Sequence, residues 1–207
     1  MNNIFLKVSP YTVVRKRGIK ELTKYIDYVL DSKIDGDFVE CGVFKGGMIM
    51  AMALKLLKKN IKVHIWGYDM FKRGMPSAQD VDIDSFGRSG NKLFGTYNCD
   101  KEEVYKNILS TNYDMGFVTL VEGDVSETLK SIFPSKISLL RIDVDFYEPT
   151  KSVLKYLFNR VTDGGVIIWD DYDCWKGCKL ATDEFFGKEI FKANERKILI
   201  KQQSMPK

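Results

Sequence analysis

The chain has 207 residues, of which 32 are lysine or arginine and 28 are acidic, so its formal net charge is +4. Hydrophobic residues make up 44% and charged residues 29%, which excludes wholesale disorder and fibrous folds. A chain of this length folds without disulfides or a structural metal, so we expect one domain over residues 1–207. Because both signs of charge are interleaved, we expect no nucleic-acid partner.

The cysteines and the single histidine narrow the choice of site chemistry. The four cysteines, at positions 41, 99, 174 and 178, include no CxxC pair, which indicates free thiols in a reducing cytosol. With His64 alone, no site can contain two histidines of one chain. The N-terminus lacks a secretory pattern and no apolar run approaches about 18 residues, so we expect a cytoplasmic protein without a membrane span.

Apolar, strand-like runs alternate with segments of helical period, which predicts an α/β fold with a mostly parallel sheet and helices on both faces. Strands are predicted at 37–41, 63–68, 117–121, 137–142, 166–169 and 197–200. Helices are predicted at 19–30, 48–57, 100–109, 126–133, 149–161 and 177–186. Residues 1–36 are predicted to form an N-terminal helical extension, and residues 163–165 are predicted to form a turn.

Residues 70–99 interrupt this alternation with a long polar, glycine-containing stretch. A segment of this length inside a compact domain is typical of a functional lid or a disordered loop. We predict a mobile lid that orders over bound ligands, and permanent disorder without a catalytic role is the alternative.

Acids follow the predicted strands at the point where each strand ends. In open α/β sheets, ligands bind outside the carboxyl ends of the strands. One such acid carries little information, but a succession of them along one sheet edge predicts a site there. The acids at or after the strand ends are Glu40, Asp69, Asp124, Asp143, Asp170 and Asp171.

The turn after the first strand, at residues 39–47, is rich in glycine. Its glycines allow the backbone to pass close to a ligand, and the next helix directs its N-terminal amides toward it. The spacing is not that of the dinucleotide motif, and an acid precedes the first glycine. Glu40, Gly42 and Gly46 therefore suit a sulfonium with an amino-acid tail better than a pyrophosphate. A glycine-rich turn without a ligand is the alternative.

Asp69 and Asp124 are candidates for the adenosine part of a cofactor. A carboxylate after the second strand can accept both ribose hydroxyls, and it serves several adenosine cofactors equally well. The alternative for Asp69 is a helix cap or a solvated turn acid, and Asp124 either contacts an adenine or caps the predicted helix 126–133.

Asp143, Asp170 and Asp171 are candidate metal ligands. The strands that precede them are separated by one βαβ crossover and are therefore adjacent in a parallel sheet. Converging carboxylates repel one another, and Arg141 is a rare fixed cation nearby. A hard divalent ion such as Mg²⁺ resolves that repulsion with oxygen ligands, and solvated loop acids are the alternative.

Several linked blocks resemble the macrocin O-methyltransferase family, over about residues 37–186. The blocks are FVECGVFKGG at 38–47, YDMF and GMP within 68–76, GDVSETL at 123–129, LLRIDVDFYEPT at 139–150 and WDDYDCWKGCKLATDEFF at 169–186. The resemblance implies a Rossmann-like class I methyltransferase fold, S-adenosylmethionine and Mg²⁺ as cofactors, and methyl transfer to a sugar hydroxyl.

The same resemblance assigns roles to individual residues. It places Glu40, Gly42 and Gly46 on the methionine side of the cofactor, Asp69 on its ribose and Asp124 near its adenine. It assigns Asp143, Asp170 and Asp171 as the metal ligands. The implied partner is a small-molecule sugar or glycoside, on a natural product, a surface glycan or a nucleotide, and a homo-oligomer is possible.

Methyl transfer to a sugar hydroxyl needs a base as well as a Lewis acid, because the hydroxyl is a poor nucleophile. We predict Asp143 as that base, with Asp145 as the less favoured candidate. A metal-dependent hydrolase, a non-catalytic binding module and a nucleic-acid methyltransferase are the alternative functions.

Overall fold

The computed structural model describes residues 2–191, 197–203 and 205 of the chain. Its sheet has the strand order β3-β2-β1-β4-β5-β6, in which β1 to β5 are parallel and β6 is antiparallel to β5. The strands are β1 (Asp37–Cys41), β2 (Ile65–Asp69), β3 (Val118–Glu122), β4 (Ile137–Ile142), β5 (Val161–Trp169) and β6 (Ile198–Ile200). The order reverses between β1 and β4, and a crevice forms at the carboxyl ends of strands on either side of such a reversal.

Helices cover both faces of this sheet, which confirms the predicted fold class. The helices are α1 (Asn2–Val8), α2 (Lys16–Asp31), α3 (Gly47–Lys59), α4 (Lys101–Leu109), α5 (Val125–Thr128), α6 (Tyr147–Leu157) and α7 (Lys176–Phe186). The core on one face takes its side chains from α1 to α4, and the core on the other face takes them from α5 to α7.

The apolar spacing of α2 explains why this segment is a surface helix. Ile19, Leu22, Ile26 and Val29 recur every three or four residues, so they lie on one face of a helix, and all four are buried against the sheet. In α3, by contrast, every side chain from Met48 to Ala53 is buried, because this helix lies between the sheet and the N-terminal helices.

The predicted turn at residues 163–165 is wrong, because these residues belong to β5. Ile137 of β4 pairs with Val161, but Leu139 pairs with Val166, so β5 bulges between the two pairs. Gly164 has a φ of +83°, a backbone conformation that favours glycine and accommodates the bulge. The preceding helix accordingly ends at Leu157 rather than at 161.

The helix predicted at 126–133 is also shorter than expected, because α5 ends at Thr128. Residues 129–131 form turns after α5, and Phe133 precedes Pro134, a position that is sterically disfavoured in the helical region. The strands at 37–41 and 137–142 have the predicted bounds, and β6 lies within the predicted 197–200.

Candidate active site

A cavity of about 560 Å³ lies at the carboxyl edge of the sheet, beside the reversal of strand order. Six of the eight predicted site residues line it, namely Gly42, Asp69, Asp124, Asp143, Asp170 and Asp171. Glu40 and Gly46 do not. Glu40 is buried in β1, and Gly46 caps the N-terminus of α3 with a φ of +88°.

Gly42 joins the exits of β1 and β4 by direct backbone packing. Its φ is +91°, and a Cβ at this position would lie only 1.7 Å from the main-chain oxygen of Asp143. The residue must therefore be glycine for structural reasons, whatever ligand lies above it. The close approach brings the glycine-rich turn next to the acids that follow β4.

Asp69 fixes the loop after β1 through hydrogen bonds to main-chain N–H groups. Its Oδ2 accepts from Val43 (2.6 Å) and Phe44 (2.9 Å), and its Oδ1 accepts from Phe71 (2.5 Å). Burial raises the pKa of Asp69, and the same three N–H donors oppose that rise. The predicted contact with a ribose remains a prediction, and in this structure the carboxylate organises the loops around the cavity.

We therefore expect Asp69→Asn to lower the free energy of unfolding by about 2–4 kcal/mol, because the amide loses the charge and faces an N–H donor with its own NH₂ group. Urea unfolding measures the change. Glu122→Gln is the matched control, since Glu122 pairs with Asp69 in register on β3 but is exposed. Equal losses in the two variants would contradict a structural role for Asp69.

Asp124 acts as the cap of α5, which was one of its two predicted roles. Its Oδ1 accepts a hydrogen bond of 2.8 Å from the main-chain N–H of Ser126. Because the residue also lines the cavity, the second role, a contact with an adenine, stays a prediction.

Arg141 links the acid of β1 to the acids that follow β4 and β5. Its side chain is only 2% exposed, and its Nη1 donates to Glu40 Oε1 at 2.8 Å and to Asp143. Its Nη2 lies 2.9 Å from Asp170 Oδ1. Glu40 and Arg141 are direct neighbours in the pairing of β1 with β4, so the sheet register itself creates this ion pair.

The predicted metal ligands converge on one point. One carboxylate oxygen from each of Asp143, Asp170 and Asp171 lies within 4.8 Å of the others. Burial raises the pKa of Asp143 to about 6, opposed by Arg141, and burial also raises the pKa of Asp171. The donors are all oxygen atoms and one guanidinium leaves them excess negative charge, so the residues fit a hard divalent cation such as Mg²⁺.

Asp145 lies beside this triad without belonging to it. It lines the cavity, and its main-chain N–H donates to Asp171 Oδ2 at 3.2 Å. Its φ of +58° is uncommon for a residue other than glycine, and such strain occurs at functional sites. Burial, reinforced by the charge of Asp143, raises its pKa to about 7.

Residues of the segment 70–99 contribute a large share of the cavity lining. The composition of the segment did not indicate which of its residues would do so. Asp82 is buried, where its carboxylate accepts from the main-chain N–H groups of Gln79 (2.8 Å) and Tyr147 (2.7 Å). Asp84 forms a β-bridge with Trp175. In the sequence, these two acids alternate with the apolar residues Val81 and Ile83. Such alternation indicates a strand-like segment. The mobility of the segment stays a prediction.

The strand order, the glycine turn after β1 and the cavity at the carboxyl edge together define a Rossmann-like fold with a ligand site at the reversal of strand order. The macrocin O-methyltransferase family model matches residues 7–199, and the chain belongs to this family of O-methyltransferases. The family predicted from the sequence blocks is thereby confirmed.

Individual relatives agree with this assignment. The chain is 28% identical over 187 residues to the demethyldecarbamoylnovobiocin O-methyltransferase of Streptomyces niveus, a match that covers 86% of this chain and 68% of the relative. It is 27% identical over 183 residues to a tetracenomycin-C 4′-O-methyltransferase of Streptomyces olivaceus acting on a dimethoxy-rhamnosyl compound, with the same coverages.

Solved structures show the same fold. The O-methyltransferase NovP superposes with a TM-score of 0.73 at 27% identity, over 86% of this chain and 74% of that one. The calicheamicin methyltransferase CalS11 superposes with a TM-score of 0.69 at 23% identity, over 90% and 80% of the two chains. Within the part of this chain that the structure describes, no helix is long and apolar enough to cross a membrane.

Proposed function

We propose that this protein transfers the methyl group of S-adenosylmethionine to a sugar hydroxyl, in a reaction that depends on Mg²⁺. The acceptor sugar belongs to a glycosylated natural product, a surface glycan or a nucleotide, and the reaction takes place in the cytoplasm. One observation carries the proposal: a single cavity is lined both by Gly42, Asp69 and Asp124 and by the acidic triad. A methyl donor and an acceptor hydroxyl can therefore meet in it.

On the cofactor side, the proposed partner of the amino group of S-adenosylmethionine is Glu40, which does not itself line the cavity but lies two residues before Gly42, which does. Its Oε1 is taken by Arg141, but its buried Oε2 has no hydrogen-bond partner among the described residues. A buried acceptor without a donor is costly, and an ammonium group would satisfy it.

On the acceptor side, Asp143, Asp170 and Asp171 are the proposed Mg²⁺ ligands, and the bound ion supplies Lewis acidity that lowers the pKa of the acceptor hydroxyl. Arg141 pairs with Asp143 and Asp170 and holds their carboxylates in place. The Asp143 carboxylate therefore already pairs with Arg141 and is a proposed metal ligand, which makes it a poor base for the hydroxyl proton.

We propose that Asp145 accepts the hydroxyl proton on its carboxylate, in place of Asp143, which the sequence analysis favoured. It lines the cavity next to the triad, and no ion pair with Asp145 occurs among the described residues. Residues 70–99 are the proposed lid, which excludes water from the transfer centre.

The first test is calorimetric titration with S-adenosylmethionine and S-adenosylhomocysteine, with NAD as the control. We expect both adenosyl compounds to bind and NAD not to bind. Mass spectrometry with labelled S-adenosylmethionine and a panel of nucleotide sugars and glycosides then identifies the acceptor. Binding of NAD but of neither adenosyl compound would overturn the methyltransferase proposal.

A further inference from the structure

The rim of the cavity carries an exposed aromatic side chain with no packing role. Phe86 is 82% exposed and lines the cavity. Phe94, in the same segment, is 64% exposed but does not line it. Single exposed phenylalanines are common on protein surfaces, so exposure alone does not indicate a binding role for Phe86. The evidence for such a role is the set of contacts that hold its turn.

A network of hydrogen bonds fixes the turn that presents Phe86. Asp84 is buried, and its Oδ1 accepts from the main-chain N–H groups of Phe86 (2.9 Å) and Arg88 (2.8 Å). Its Oδ2 accepts from the Arg88 Nε at 2.6 Å. These hydrogen bonds hold the turn in one conformation in this structure, and a turn held in this way reduces the entropic cost of binding.

Main-chain bonds also attach this turn to the acceptor half of the site. Ser85 N donates to Cys174 O, and Lys176 N donates to Ile83 O, both at 2.9 Å. Cys174 and Lys176 follow the metal-site acids Asp170 and Asp171 in the chain. The turn consequently overlies the acceptor side of the cavity.

The charged residues of the cavity lining differ in exposure. Asp143 and Asp171 are half-buried and buried, whereas Arg88 and Lys92 are exposed, and we call these two parts of the lining the deep end and the rim. The guanidinium of Arg88 lies 5.1 Å from the centroid of the Phe86 ring. Lys92 makes no ion pair with any residue that the structure describes. The acid that residues 70–99 contribute to the lining is Asp84, and Arg88 already neutralises it.

We propose that the turn 84–88 and Lys92 form a binding subsite for the nucleoside diphosphate portion of a nucleotide-linked acceptor sugar. The base stacks on Phe86, the diphosphate lies against Arg88 and Lys92, and the sugar extends toward the acids at the deep end. This inference rests on the proposed function and narrows its acceptor from three classes of sugar to one. A neutral glycoside leaves Lys92 without an anionic partner, since Arg88 already pairs with Asp84.

Calorimetry at saturating Mg²⁺ with S-adenosylhomocysteine bound tests this subsite. The probes are thymidine diphosphate-glucose, uridine diphosphate-glucose and the neutral p-nitrophenyl glucoside. We expect at least one nucleotide sugar to bind at least about tenfold more tightly than the glucoside. Phe86→Ala and Lys92→Ala should each weaken that binding by about fivefold or more, since stacking and charge-assisted contacts are lost.

Phe94→Ala is the matched control and should leave the nucleotide-sugar affinity unchanged, and the thermal midpoint of Phe86→Ala should equal that of the wild type. Equal binding of the glucoside, no binding of either nucleotide sugar, or equal effects of Phe86→Ala and Phe94→Ala would overturn the subsite. The same titrations without adenosyl ligand separate the two proposals. If the protein binds a nucleotide sugar through Phe86 but binds no adenosyl compound, the methyltransferase proposal is contradicted and the subsite is not.

Discussion

Removal of divalent cations with a chelator is expected to abolish methyl transfer, and added Mg²⁺ is expected to restore it. The physical reason is the charge balance at the carboxyl ends of β4 and β5. Three carboxylates have oxygens within 4.8 Å of one another, and Asp145 lies beside them. The single positive charge of the Arg141 guanidinium offsets only part of their negative charge. Such a cluster retains excess negative charge that a divalent cation would neutralise.

The variant Asp170→Asn tests the same site by metal affinity as well as by rate. Asp170 is 38% exposed, so its substitution should leave the fold intact. We expect Mg²⁺ affinity to fall at least about tenfold and turnover about 10²-fold, because one anionic ligand is lost. Calorimetry with Mg²⁺ and a methylation assay measure the two effects.

Asp173→Asn is the control for Asp170→Asn. Asp173 lies in the same loop and is 64% exposed, but it is outside the triad. We expect its substitution to leave both quantities unchanged. If the chelated, metal-free protein methylates its acceptor at full rate, the acids at this edge are structural and the proposed metal site is wrong.

The second large effect is expected from Asp145→Asn, which should lower turnover by about 10²-fold or more while Mg²⁺ and S-adenosylhomocysteine affinities stay near those of the wild type. An amide cannot accept the proton of the acceptor hydroxyl, but it preserves the shape of the side chain. Single-turnover kinetics together with the two titrations separate loss of the base from loss of a ligand.

Asp143→Asn provides the contrast for Asp145→Asn. Because Asp143 belongs to the triad and pairs with Arg141, its substitution should weaken Mg²⁺ binding as well as turnover. The opposite pattern would assign the base to Asp143: a normal rate in Asp145→Asn, with Asp143→Asn retaining Mg²⁺ affinity but losing turnover.

The sequence by itself determined the sheet and the edge at which the site lies. Buried parallel strands are continuous apolar runs, so the bounds of β1 and β4 were predictable from hydrophobicity. Parallel strands also place their carboxyl ends together, so the acids after them were expected to converge. The linked blocks of residues then identified the family.

Only the tertiary structure decided what each acid contacts, because contacts across the sheet depend on register and on loop packing. The partnership of Glu40 with Arg141 follows from the alignment of β1 with β4, over residues that are far apart in sequence. Asp69 satisfies loop N–H groups that no local pattern indicates.

The same reason explains why the predicted turn at 163–165 is wrong and why composition did not indicate the contacts of residues 70–99. The glycines at 164 and 165 have the composition of a turn, but pairing with β4 draws them into β5 as a bulge. Residues 70–99 have the composition of a loop, yet the buried carboxylate of Asp82 accepts from the main-chain N–H of Tyr147, and Asp84 forms a β-bridge with Trp175, so both attach the segment to the body of the protein. Burial of an acid depends on partners supplied by distant elements, and composition contains no information about those partners.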